Sequence, residues 1–231
     1  MLDRIRQRAA ELGWWNALLL LVSRVCERAT TGHVKLIKYE LMVQPLGPDP
    51  LLPSNRGVSV DVHEVAPDHP LLLSTTFRDP AILQARFESG ARCFLAECRG
   101  QLAGFLWVTQ GEYLEDEVRC RFLAAPVDRA VWDFDVYVVD SYRLTPVFAR
   151  LWDVTREALR AQGVRHSCSR ISAFNQASIR AHRHLGAIKV GWLAVIVLGS
   201  WQCFFSNQRP WLWISWFMRS RPLFVLGDKQ N

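Results

Sequence analysis

The sequence predicts an α/β (α+β) fold: a mixed central sheet flanked by helices, with an added N-terminal amphipathic helix and an aromatic C-terminal extension. Three observations predict it. Between Val58 and Leu198, strand-like and helical runs follow one another in the order β-α-α-β-β-β-α-β-α-β, and such alternation implies a sheet containing parallel pairs. The run from Asn175 to Ala187 reads as a capped helix that closes on a glycine and leads straight into a strand. Half of the 231 residues are hydrophobic, enough for a sizeable core and too many for a disordered chain.

The elements follow in order. Residues 1–43 read as basic and helical, trailing into a short strand-like run from Leu36 to Val43. Leu2, Ile5, Ala9 and Leu12 recur at helical spacing between arginines, and Trp14-Trp15 suits a lipid headgroup region. The apolar run from Trp14 to Val25 is short for a bilayer span and lacks a small-residue cleavage site after it. Residues 44–57 hold Pro45, Pro48, Pro50 and Pro53 with two glycines, the composition of a linker or an irregular wrap. Val58, Val60 and Val62 alternate as a strand. Two helical stretches follow within Pro67 to Gly90, broken at Phe77-Arg78-Asp79-Pro80. Cys93–Glu97 and Leu102–Val108 are strands joined by Arg99-Gly100-Gln101, a tight hairpin signal. Ala130–Val139 is a strongly apolar strand, Pro146–Gln162 an amphipathic helix, and Val164–Ile171 another strand. The Asn175 helix and a strand from Ala187 to Leu198 complete the series. Residues 58–200 thus read as the domain, and 201–231 as an extension in which Trp211, Trp213, Trp216 and Phe217 crowd beside Arg209, Arg219 and Arg221. Exposed apolar patches of that kind mark a partner or a membrane; packing back on the N-terminal helix is the alternative.

Charge and cysteines narrow the function classes. The formal charge of +6 suits nucleic acid, an anionic membrane surface or an acidic cofactor. The basic residues are interleaved with apolar runs and match no nucleic-acid motif, so no nucleic-acid partner is expected. Cys26, Cys93, Cys98, Cys120, Cys168 and Cys203 are scattered without metal-ligand spacing, which predicts buried reduced thiols, no metal site and a cytoplasmic setting.

In Asn175–Ala187, Asn175 can accept a backbone N–H of the first turn and Gly186 can turn left-handed past the last. Ile179 and His182 share a face with Ser178, and that face can present a titratable group to a cleft. Read as Asn-x-x-Ser-x-x-x-His-x-x-Leu-Gly-Ala, the run resembles the acyl-CoA-binding helix of the GNAT superfamily of acyltransferases, usually Asn-x-x-Ala-x-x-x-Tyr-x-x-x-Gly-Phe. The order of elements over residues 58–200 resembles that family too.

The resemblance implies an acyl-CoA donor, acetyl-CoA above all, and an amine acceptor. The donor's pantetheine would pair with the edge of the strand Val131–Val139, engaging Val136, Tyr137 and Val138. Its pyrophosphate would sit on the loop Tyr142–Ala149, on Arg143, Leu144, Thr145 and Val147, as anions sit at helix N-termini. Tyr142-Arg143 matches the start of the family's Arg-Gly-x-Gly-x-Gly/Ala signature, but Leu144, Pro146 and Phe148 stand where its glycines belong, and Pro146 removes a donor. Proline remains comfortable in a first helical turn. The N–H groups of Thr145, Val147 and Phe148 are the expected remaining donors. Three readings stay open: looser CoA binding, a carrier-protein-bound acyl donor, or a degenerate site. His182 stands in the place of the tyrosine that protonates the leaving thiolate. Asn175 and Ser178 would touch the pantetheine.

Acyl transfer also needs a base. Asp135, then Asp133, are the first candidates: they alternate on one face of a strand otherwise apolar, where carboxylates need a cleft or a partner such as Arg121 or Arg170. Glu97, Glu115 and Glu117 are weaker candidates. The resulting expectation is an acyl-CoA-dependent N-acyltransferase acting at the membrane surface on a small-molecule, sugar or lipid-linked envelope-precursor amine, with membrane contact through residues 1–28 and 201–224. A non-catalytic binding or scaffold module and an acyl-carrier-protein-dependent transferase are the alternatives.

Overall fold

The computed structural model describes residues 12–75 and 79–227. Leu2, Ile5, Ala9 and the Phe77-Arg78 break lie outside them. The chain divides into two compact units, each assembled from separate stretches: Met1–Gln44, Glu112–Leu123 and Cys168–Asn231 form one, Pro45–Gly111 and Ala124–Ser167 the other.

In the first unit, helix α1 (Trp14–Ala29) buries none of its residues. It leads to β1 (Val34–Pro45), a strand of 12 residues whose second half, Tyr39 to Gln44, is buried without interruption. A run buried on both faces belongs inside a sheet, and β1 lies there, between β8 (His166–Ser172) and β9 (Ile188–Leu198). Its pairing with β9 is antiparallel, from Val34 opposite Leu198 to Val43 opposite Ile188. The short strand-like tail expected after a helical segment is therefore a principal strand. Beyond β9 come β10 (Trp201–Ser206) and β11 (Leu212–Ser215), both antiparallel. Residues 201–215, expected as an aromatic extension, thus carry sheet structure.

A smaller sheet has the order β12 (Leu223–Gly227), β6 (Arg121–Ala125) and β5 (Glu112–Leu114). Helix α5 (Gln176–His184) begins where the Asn175 side chain accepts the Ser178 N–H at 3.1 Å and ends before Gly186 at φ +91°. It sets Ile179 into a core cluster with Met42, Ile171 and Ala187.

In the second unit the strand order is β7 (Ala130–Val138), β4 (Gln101–Thr109), β3 (Arg92–Cys98), β2 (Asp61–Val65). The strand expected from Val58 begins at Asp61, and Val58 is exposed. Helices α2 (Pro70–Leu73) and α3 (Pro80–Glu88) follow β2, the latter capped by Asp79, which accepts the Ala81 N–H at 2.9 Å. Helix α4 (Val147–Ala161) places Val147, Leu151, Trp152, Thr155 and Leu159 inward at helical spacing, packed on β2, β3 and β4. The Pro-rich segment is tied to the same helix. Asp153 accepts the Leu51 and Leu52 N–H groups at 2.7 and 3.2 Å, and Arg160 donates to the Leu46 carbonyl at 2.7 Å.

Candidate functional site

Strand β7 does not run regularly. Phe105 faces Tyr137 and Trp107 faces Phe134, so Asp135 and Val136 together oppose Leu106, and Asp135 sits at φ +50°. That is a β-bulge, two residues against one, which re-aims side chains and interrupts the ladder. Aspartate is among the few residues that tolerate the left-handed region, at a cost of about 1–2 kcal/mol. The regular alternation expected to put Asp133 and Asp135 on one face is broken at this point.

The two carboxylates have separate partners. Asp133 is buried and accepts the Ser167 hydroxyl at 2.6 Å. Asp135 Oδ2 accepts from Arg86 Nη1 at 2.5 Å, with side chains 12% and 11% exposed, and the guanidinium carbon lies 5.3 Å from the Trp107 ring and 5.2 Å from that of Phe134. The partners expected from sequence were Arg121 and Arg170. Arg121 instead pairs with Glu112 at 2.9 Å and Arg170 with Glu115. Nothing in the sequence points from Asp135 to Arg86, 49 residues away.

Near the end of β7, Tyr137 lies against Phe105, with ring centroids 5.4 Å apart. One 3₁₀ turn (Asp140–Tyr142) follows, then the loop into α4. Two of the backbone donors expected there are engaged within the turn. Thr145 N–H donates to the Tyr142 carbonyl at 3.0 Å, and Val147 N–H points at Thr145 Oγ1, 3.4 Å away. With Pro146 in the N-cap position and no N–H of its own, the loop turns Thr145 and Val147, two of the three expected donors, onto its own oxygens. Arg143 is exposed and paired with Asp140 at 2.6 Å, a surface pair that an incoming anion can displace. Leu144 is fully exposed.

In the first unit, His182 is buried, as is Ile179 one turn earlier, so that face of α5 turns inward. His182 Nδ1 lies 2.9 Å from the Ser178 carbonyl and 3.4 Å from Ser178 Oγ. A carbonyl only accepts, so this contact suits the tautomer with the proton on Nδ1. The Asn175 side chain is occupied with the helix cap.

The same unit contains a charged cluster built on Glu115 and Glu117, two of the weaker candidates for the base. Arg170 holds Glu115 through both nitrogens of its fork, Nε at 2.8 Å from Oε2 and Nη2 on Oε1, and its guanidinium lies 4.7 Å from the centroid of the Tyr39 ring. Tyr39 is fully buried and donates to Glu117 Oε2 at 2.5 Å. Burial pushes the Glu115 carboxyl above its ordinary range in spite of Arg170. Burial likewise pushes the Tyr39 hydroxyl well up, with Glu115 and Glu117 adding to it. Burial acts against the charge on Arg170, and Glu115 more than reverses that. Cys93 and Cys120 are buried, with thiols pushed up by burial; Cys26, Cys98 and Cys203 are half-buried.

No protein-family model and no curated protein matches the chain. Solved structures do. The chain is similar to a functionally unknown conserved protein from Staphylococcus epidermidis, at 14% identity over 75% of this chain and 66% of that one, with a TM-score of 0.49. It is similar to a tandem GNAT protein from the clavulanic acid biosynthesis pathway, at 14% identity over 74% and 57%, TM-score 0.46. It is also similar to AAC(6')-Iy, solved with the bisubstrate analogue CoA-S-monomethyl-acetylneamine, at 20% identity over 55% and 89%, TM-score 0.39. The chain spans less than two thirds of the length of the first two. These are likenesses of backbone at low identity, and residue roles in this chain have to come from its own geometry.

Proposed function

We propose that the protein is an acyl-CoA-dependent N-acyltransferase working at a membrane surface on an amine of a small molecule, sugar or lipid-linked envelope precursor. One observation carries the reading: the bulge in β7, where Asp135 is held left-handed with its own carboxylate bound by Arg86, just ahead of the loop that opens α4. Strained backbone of that kind persists where a function requires it. In this reading Val136, Tyr137 and Val138 meet the pantetheine, and Arg143, Leu144, Thr145 and Val147 meet the pyrophosphate. Arg143 supplies the charge that the occupied amides do not. Asp135 is the base, positioned by Arg86; Asp133, fixed by Ser167, supports the strand. The roles of His182 as acid and of Asn175 and Ser178 as pantetheine contacts are proposed separately and tested in their own variants.

The membrane half of the proposal rests on the first unit. Trp14 and Trp15 are 72% and 79% exposed on α1; Trp211, Trp216 and Phe217 are exposed too, and Arg209 lies 5.2 Å above the Trp211 ring. Among the described residues, no helix is long and apolar enough to cross a membrane. Interfacial adsorption fits exposed tryptophans flanked by arginine. Deleting residues 1–43 would remove β1, so the test is the double substitution Trp14→Ser, Trp15→Ser. Its affinity for vesicles containing anionic lipid should fall on the order of tenfold or more. Unchanged flotation would remove this half. Activity is tested by thioester cleavage with acetyl-CoA and long-chain acyl-CoA over a panel of amines. A folded protein that cleaves neither donor would favour the scaffold reading, and cleavage only of an acyl carrier protein thioester would select that donor.

A further inference from the structure

We infer that the second unit carries an anion site between its Pro-rich segment and the outer face of α4, built to take a phosphate-bearing small molecule. A cavity of about 540 Å³ opens there, within the usual range for a small ligand. Arg56, Arg150, Arg156 and Arg160 line it, against Asp153 and Glu157. The carboxylates do not balance the arginines. Asp153 accepts two backbone N–H groups, from Leu51 and Leu52, and holds Arg156 at 3.1 Å. Arg156 is buried and also donates to the Asp49 carbonyl. Among the described residues Arg160 donates to the Leu46 carbonyl and pairs with no carboxylate.

Arg150 and Arg56 carry the inference furthest. Arg150 is half-buried, and its Nε is enclosed with no hydrogen-bond partner among the described residues. A buried donor on a charged group is expensive to leave unmade. Arg56 reaches the same cavity from the Pro-rich segment and makes no ion pair among the described residues. Guanidinium forks converging from two elements suit phosphate oxygens, which they bind in pairs of charge-assisted hydrogen bonds. The segment that presents Arg56 is fixed: Gly57 turns at φ +73°, and a Cβ there would come within 3.2 Å of Leu52 and 3.6 Å of Arg150 and Pro146. The site is therefore preformed, which lowers the ordering cost of binding. It does not include Arg143 or β7, so it stands or falls apart from the acyl-transfer reading.

The test is calorimetric titration of the full chain with inorganic pyrophosphate, in parallel with Arg56→Ala, Arg150→Gln and Arg143→Ala. The site predicts one-to-one binding that weakens on the order of tenfold in each of the first two variants and is unchanged in the third. Arg56 is exposed and makes no ion pair among the described residues, so its substitution leaves folding intact, and circular dichroism checks Arg150→Gln. Absence of pyrophosphate binding, or binding that only Arg143→Ala weakens, would overturn the inference. Competition with CoA separates the sources: displacement assigns the phosphate to the donor nucleotide, and none assigns it to a separate phosphorylated ligand.

Discussion

Removing Arg170 tests how the charged cluster of the first unit is held together. Glu115 has no exposed side-chain surface and Arg170 is 25% exposed, so the pair belongs to the buried class. Arg170→Met keeps the stem that covers Tyr39 but strips Glu115 of both guanidinium bonds, leaving the Glu117 N–H at 3.3 Å as the donor shown to it. Stranding a buried charge in this way costs about 3–5 kcal/mol. The pH dependence has a fixed sign. Burial raises the folded-state value of Glu115 above its ordinary 4.5, so the folded chain binds this proton more tightly than the unfolded one. The stability it contributes is complete below the ordinary value and is lost as pH rises through the raised one. In Arg170→Met the raised value moves further up, so the deficit should be largest near neutral pH and shrink as pH falls toward the ordinary carboxylate range. Urea unfolding at neutral and mildly acidic pH measures this, and Glu115→Gln combined with Arg170→Met should recover most of the loss. A deficit below about 1 kcal/mol, the scale of a surface pair, or one that ignores pH, would refute the reasoning.

Other outcomes follow from single contacts. Gly104 lies in β4 where an added Cβ would meet the Tyr137 carbonyl oxygen at 2.5 Å, so Gly104→Ala should cost about 3 kcal/mol or more, read as a lowered Tm. Asn175→Ala removes the α5 cap and should cost about 0.5–2 kcal/mol in urea unfolding; if Asn175 also contacts the donor, acyl-CoA affinity falls with it, whereas a stability loss alone assigns the residue to the cap. Asp135→Asn keeps the bulge and removes the proton acceptor: if Asp135 is the base, kcat drops by about 100-fold or more with KM for the donor little changed. An unchanged kcat would pass the role to another carboxylate, with Asp133 the first to try.

Where the local pattern carried the information, the sequence was readable. Arg99-Gly100 between two apolar runs predicted a hairpin, and β3 and β4 meet there, with Cys98 opposite Gln101. Asn175 and Gly186 marked the two ends of α5 because caps are local chemistry. The rest depended on partners distant in the chain. A run such as Tyr39 to Gln44, buried on both faces, has no alternation to reveal that β1 lies inside a sheet. Strand β10 does alternate, but Gln202 and Ser206 occupy its inner positions with Phe204, and inward polar residues hid the pattern. The bulge at Asp135 follows no glycine, and its partner Arg86 comes from α3. His182 was legible as sharing a face with Ile179, but whether that face lined a cleft or turned into the core depended on what packs against α5, and both residues are buried.

The central claim is that β7 and the loop after it form a working acyl-donor site despite the missing glycines. Isothermal titration of the full chain with acetyl-CoA and with a long-chain acyl-CoA, repeated on Arg143→Ala, tests it most directly. Binding in the micromolar range that weakens on the order of tenfold when the Arg143 charge is removed is the expected result. No binding of either donor to the folded protein would contradict it.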